Sequence, residues 1–145
     1  PLAGCKVQNV KATLYDGSYH PVDSNETAFK IAASLAFKTG IAEAKPVLLE
    51  PIMKLEISVP DDFVGAVMGD LPTRRGAVMG MDPQPGGGQI LHAEAPQAEL
   101  FDYAIALRSM TQARGSFTME FARYEEVPAM NAQKIIEAHK AEEEA

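Results

Sequence analysis

Residues 48–60 read LLEPIMKLEISVP, and their pattern decides the fold. Met53, Leu55, Ile57 and Val59 alternate with Lys54, Glu56 and Ser58, the period of two that marks a strand with one buried face. Pro51 sits near the start, where a missing N–H costs a ladder little, and Pro60 closes the run. The strand reads as a joint. Before it lies a strand–loop–helix piece that looks incomplete, and it opens a second piece that looks whole.

Downstream, Asp61 and Asp62 suit the first turn of a helix, and Phe63, Val64, Val67, Met68 and Leu71 form its apolar stripe. Pro72 is expected to break it. Arg74-Arg75-Gly76 leads into a strand over 77–82, PQPGGG (83–88) makes a hairpin turn, and 89–95 runs back as a strand that Pro96 stops. Ala98, Leu100, Phe101, Ala104, Ile105 and Leu107 give a helix ending near Met110, and 115–125 is a last strand with Phe117, Met119 and Phe121 on one face. The order β-α-β-β-α-β is that of a ferredoxin-like α+β sandwich, expected over 46–128. Residues 129–145 read as an added helix fraying into Glu142, Glu143 and Glu144.

Upstream, residues 4–15 alternate loosely, with Val7 and Val10 out of phase, so a strand with a bulge near Gln8–Asn9 is expected. Asp16-Gly17-Ser18 is a turn signal. Asp23 or Ser24 is the expected N-cap of a helix, with Glu26 in capping-box position and Gly40 as its end. That helix carries two apolar stripes, Ala28, Ile31, Ala32, Leu35 and Phe29, Ala33, Ala36, Phe37, so both sides need cover. One strand cannot supply it. Residues 1–45 therefore read as the last part of a larger domain whose other strands are absent or supplied by another chain.

The 145 residues are 46% hydrophobic and 23% charged, as in ordinary globular proteins. Cys5 is the only cysteine, which excludes an internal disulfide and a thiolate metal site and suits the cytoplasm. It is expected to be structural, and the seven methionines to fill the core. Net charge is −7, which argues against binding nucleic acid through bulk charge. Residues 1–45 carry five lysines against four acids, so any RNA contact must be made by a few placed groups. No membrane or DNA partner is expected.

No phosphate-binding G-x-x-x-x-G-K-[ST], G-x-S-x-G or H-E-x-x-H motif occurs, so no catalytic residue is assigned. His92 and Glu94 share a strand face but lack a third ligand, so no metal is assigned. Two places stand out. Tyr19 and His20 sit between Gly17-Ser18 and Pro21 at an exposed loop tip, and the following helix aims free N–H groups toward them, a geometry that suits phosphate. Arg74, Arg75, Arg108 and Arg114 could form one phosphate-gripping patch, or simply answer helix dipoles.

Taken together, LYDGSYHPVDSNETAFKIAA, LLEPIMKLEISVP, RRGAVMGM and LRSMTQARGSFTMEFARYEEVP resemble the C-terminal part of bacterial elongation factor G, in order and over nearly the whole chain. The resemblance implies that 1–45 is the end of domain IV, a partial β-α unit of a ribosomal protein S5 domain 2-like fold, and that 46–128 is domain V. It implies a translational GTPase whose GTP and magnesium site lies in a domain missing here, with no cofactor in this fragment. Its implied partner is the ribosome: rRNA of both subunits, the tRNA–mRNA complex and stalk-base proteins. Gly17, Ser18, Tyr19, His20, Pro21 and Asp23 would form the tip that reaches the decoding centre, and Arg74, Arg75 and Arg114 would contact large-subunit rRNA. Pro21, Pro72, Gln97, Ala113 and the PQPGGG turn depart from the family's usual residues. They leave open a paralogous ribosome-associated GTPase of the ribosomal protection type. A rival from another class is a free-standing ferredoxin-like module that binds a small ligand or acts as a small hydrolase.

Overall fold

A computed structural model describes residues 2–145. In chain order the elements are α1 (Glu26–Glu43), β1 (Leu49–Val59), α2 (Val64–Asp70), β2 (Ala77–Pro83), β3 (Gln89–Pro96), α3 (Tyr103–Met110), β4 (Ser116–Glu126) and α4 (Ala129–Glu143). Short 3-10 turns at Asp61–Phe63, Leu71–Arg74 and Gln97–Glu99 join them. The chain divides into two compact units, Leu49–Glu126 and Pro1–Leu48 with Val127–Ala145.

The Leu49–Glu126 unit is a four-stranded antiparallel sheet in the order β2-β3-β1-β4. β1 is central, which explains its clean alternation. Met53, Leu55, Ile57 and Val59 are buried, each at most 8% exposed, and they pack with Leu91, Ala93 and Ala95 of β3. Val67 and Leu71, then Tyr103 and Leu107, bring the two helical segments onto that same face. This is the ferredoxin-like sandwich. Pro72 does not stop the chain from turning: it occupies the first turn of a 3-10 segment, where a missing N–H is harmless, and Arg75 (φ 56°) ends the run in the left-handed region. The PQPGGG turn closes through Gln84 N–H donating to Gly88 O (2.9 Å) and Gly87 N–H to Gln84 O (3.1 Å). Gly88 is needed there, since φ is 97° and a Cβ would lie 2.7 Å from Val59 O.

β4 departs in part from expectation. Phe117, Met119 and Phe121 do share the core face, opposite Ile57, Leu55 and Met53. Yet Met119 and Phe121 are 41% and 55% exposed, because β4 is an edge strand and the helices reach only as far as Phe117. The register also slips between Ile52 and Met53, a bulge that kinks the edge and blunts it. The methionine expectation holds only in part. Met53 is buried and Met110 packs half-buried against the core, while Met68, Met79, Met81, Met119 and Met130 are 41–77% exposed.

Tyr103 is fully enclosed, with its ring edge-on to Phe117 at 5.0 Å and Arg74 5.1 Å from its centroid. Its hydroxyl is the one buried side-chain polar atom without a hydrogen bond among the described residues. Burial, reinforced by the nearby Asp70 charge, pushes the phenol up to about 12 from its usual 10.0. In that interval the folded state holds a proton that the unfolded state has released, so stability falls as pH rises from 10 toward 12 and is unaffected below. Tyr103→Phe is expected to match or exceed the wild-type stability at neutral pH. It should also remove an alkaline loss on the order of 2 kcal/mol. Urea titrations on either side of pH 10 read both effects. A variant that is weaker at neutral pH would mean that the hydroxyl has a partner.

In the other unit, α1 begins one or two residues later than expected. Asn25 is the N-cap, its Oδ1 accepting from Ala28 N–H at 2.8 Å, and Glu26 pairs with Lys30 at 2.7 Å. The helix runs through Gly40, since a helical glycine costs only about 1 kcal/mol. It closes at Ala44, whose N–H donates to Gly40 O and Ile41 O. Ile41 is its only buried residue, while Phe29, Ile31, Leu35 and Phe37 are 40–61% exposed, so the expected cover is absent among the described residues. The strand expected over 4–15 is likewise not formed. Asn9, at the expected bulge, has φ 57°, and Leu14 and Tyr15 are 93% exposed. An alternating sequence becomes a strand only when a neighbour takes its N–H and C=O groups. Cys5 is exposed rather than packed, its Sγ donating to Ala3 O at 3.5 Å.

Candidate functional site

The loop from Gly17 to Asp23 is exposed along its whole length, with Tyr19 70% accessible. It is nevertheless tied. His20 N–H donates to Ser24 Oγ at 2.7 Å, and Ser24 N–H donates back to His20 O at 2.9 Å. These two bonds close a five-residue ring of main chain around Pro21, whose fixed φ stiffens it further. Ser24 was expected as a helix cap. The signal that could have revealed its role is the hydroxyl four residues after His20, with a better cap, Asn25, beside it.

Within that ring, Val22 N–H donates to His20 Nδ1 at 3.3 Å, and Asp23 Oδ2 stands 3.4 Å from the same nitrogen. While Nδ1 accepts from Val22, the neutral imidazole carries its proton on Nε2. Nε2 is then an outward donor with no partner among the described residues. An imidazole edge and face are presented to solvent, and the His20 side chain is 65% exposed. The helix N-terminus is less available to phosphate than its sequence suggests. Asn25 has taken the Ala28 N–H, and the acidic Glu26 occupies the first turn. His20, Pro21 and Asp23 thus stand in one exposed, closed turn, and Gly17, Ser18 and Tyr19 form the exposed segment that leads into it.

The arginines are divided rather than gathered. Arg74 Nε donates to Asp70 Oδ2 (2.8 Å), and its Nη1 to Asp102 Oδ1 (2.6 Å) and Glu99 O (2.8 Å), with 12% of its side chain exposed. Burial opposes the Arg74 charge, but the hydrogen bonds to Asp102 and Asp70 outweigh it and hold the pKa above its ordinary value. The same contact holds the Asp102 carboxyl below the usual carboxylate range. Arg75 grips Glu50 with both nitrogens (2.7 and 2.9 Å) and reaches Glu99 at 3.2 Å, and the Glu50 bonds raise its pKa. Glu50 is 8% exposed, so this pair is a structural clamp.

Arg114 is elsewhere. Its guanidinium lies 5.8 Å from the Phe63 ring beside an open cleft of about 630 Å³ lined by Ser58–Asp62 and Gln84–Gly88. Glu50 and Ser58 are eight residues apart on β1, roughly 26 Å of strand, so the expected single patch does not form. Arg114 is exposed and makes no ion pair among the described residues; Arg108 is exposed as well. His92 and Glu94 also have separate partners: His92 meets Asp82 at 2.9 Å and Glu56 at 3.7 Å. Glu94 accepts from Arg123 at 2.9 Å, which holds its carboxyl below the usual range.

Residues 47–135 match a family model described as elongation factor G C-terminus, and residues 1–45 one described as elongation factor G, domain IV. A crystal structure of a protein from Thermus thermophilus is 50% identical over 88% of this chain, with a TM-score of 0.75. The match covers 19% of that chain, so the residues here span about a fifth of its length. No helix among the described residues is long and apolar enough to cross a membrane.

Proposed function

The chain belongs to the elongation factor G family, and on that premise we propose that it is the ribosome-contacting C-terminal region of a cytoplasmic translational GTPase. The tip around His20 enters the decoding centre and holds the tRNA–mRNA complex during translocation, and the Leu49–Glu126 unit contacts the large subunit. The observation that carries this reading is a loop fully exposed to solvent yet closed on itself by the His20–Ser24 bonds. Exposure alone would describe any turn. Closure means that little main-chain entropy remains to be lost when the imidazole donates to, or stacks on, single-stranded RNA. With a net charge of −7, placed contacts rather than a positive field must do the recognition.

For the large-subunit contact, Arg114, unlike Arg74 and Arg75, has a guanidinium exposed and without an ion pair among the described residues. Arg74 and Arg75 serve there only by exchanging carboxylate partners for phosphate oxygens. The GTP and magnesium site belongs to a part of the longer protein outside these residues, so this region does no chemistry itself.

His20→Ala in the full-length factor is the test. Loss of a base-stacking or hydrogen-bonding side chain is worth about 1–3 kcal/mol, or roughly five- to a hundredfold in rate. Translocation measured by rapid kinetics should slow by that factor, with ribosome-stimulated GTP hydrolysis unchanged. Normal translocation would remove the tip assignment. Lost hydrolysis with intact ribosome binding would contradict the division of labour.

A further inference from the structure

We propose that Asp16 and Gly17 form a site of spontaneous main-chain isomerisation, where the chain closes to a succinimide and reopens to isoaspartate at the foot of the tip loop. Asp16-Gly17 is the only place in the sequence where an Asp or Asn precedes glycine. The nucleophile is already beside the electrophile: Gly17 N lies 2.8 Å from Asp16 Oδ1, so a turn about Cα–Cβ brings Cγ, bonded to that oxygen, to the nitrogen, while a turn about Cβ–Cγ presents the carboxyl face to it. A side chain on the following residue would crowd that approach. Gly17 has none, and the space where a Cβ would stand is empty to 4 Å. Both residues are exposed, in a segment with neither helix nor strand, so no ladder bond holds the Gly17 N–H away from the carboxyl.

The chemistry needs only water. Gly17 N attacks Cγ of the protonated Asp16 carboxyl; the N–Cγ bond forms, the Cγ–OH bond breaks, and the hydroxyl leaves with the amide proton as water. Water then adds to either carbonyl of the ring. Addition at Cγ restores aspartate. Addition at the main-chain carbonyl breaks that carbon's bond to nitrogen, so the chain now runs through the side-chain carboxyl with one extra methylene. The two bonds that close the tip begin at His20, downstream of the insertion, so the loop keeps its own shape while its point of attachment moves. That functional consequence rests on the tip reading; the isomerisation does not.

The whole chain is incubated warm at neutral pH and digested with trypsin, and the peptide covering 12–30 is followed by liquid chromatography, mass spectrometry and enzymatic isoaspartate methylation. A second form of equal mass should accumulate, preceded by one lighter by a water, at a rate no lower than in the free synthetic peptide 12–30. Gly17→Ala, which has room in the fold, should slow it severalfold, and Asp23 in the same peptide should remain aspartate. The proposal is overturned by absence of isoaspartate at Asp16, by a folded rate well below the free peptide's, by indifference to Gly17→Ala, or by equal conversion at Asp23. All of these readouts are independent of the ribosome, so they stand whether or not His20 serves translocation.

Discussion

Leu55→Ala is expected to cost the Leu49–Glu126 unit roughly 2–5 kcal/mol of unfolding free energy, enough to unfold a domain of ordinary stability at modest urea. Leu55 has no exposed surface and stands at the middle of the central strand, opposite Ala93 on one side and Met119 on the other. Neither neighbour can fill the void: alanine is too short, and Met119 is partly solvated on the edge strand. The helical segments above are held by Val67, Leu71, Tyr103 and Leu107, which lose contacts together when the floor beneath them is cut away. Lys54→Ala, one residue earlier on the polar face, is the control and should change stability by no more than about 0.5 kcal/mol. Circular dichroism through a urea titration separates the two. Equal effects would mean that β1 is not the strand on which this core is built.

Arg75→Ala is expected to cost about 3 kcal/mol, toward the lower end for breaking a buried ion pair because 27% of the Arg75 side chain is exposed. The loss comes from Glu50, which is left with its charge buried and its bidentate partner gone. The left-handed φ of 56° adds little, because arginine and alanine both carry the Cβ that makes it costly. Glu50→Ala alone should also destabilise, since Arg75 would keep only Glu99. The double variant should cost less than the two single ones added, by about 1–3 kcal/mol of coupling. A purely RNA-contacting Arg75 would give the opposite pattern, with normal stability and additive effects in the free protein. The double-variant cycle should therefore precede any ribosome-binding measurement at this residue, because an unfolded domain also fails to bind.

That arginine shows where reading a sequence stops. Arg74 and Arg75 carry the composition of a phosphate contact, and Asp70 is a legible i,i+4 partner of Arg74, but Asp102, Glu99 and Glu50 lie 24 to 28 residues away, at separations no local pattern marks. Ser24 shows the same limit at short range. Asp23, Ser24 and Asn25 can all cap a helix, and the choice of Asn25 frees the Ser24 hydroxyl to close the tip. Residues 4–15 show it differently, since alternation is a property of the sequence whereas a strand needs a neighbour.

By itself, the sequence determined the elements of the Leu49–Glu126 unit, the hairpin at 83–88, and the exposed loop from Gly17 to Asp23. Periodicity, turn chemistry and adjacency are carried by residues close along the chain, so they survive without coordinates. Only the tertiary structure decided that β4 lies at an edge, leaving Met119 and Phe121 uncovered, and that Arg114 stands apart from the clamped Arg74 and Arg75. Exposure and ion pairing depend on which distant groups arrive alongside, and that is fixed by how the sheet is ordered, not by what any one segment prefers.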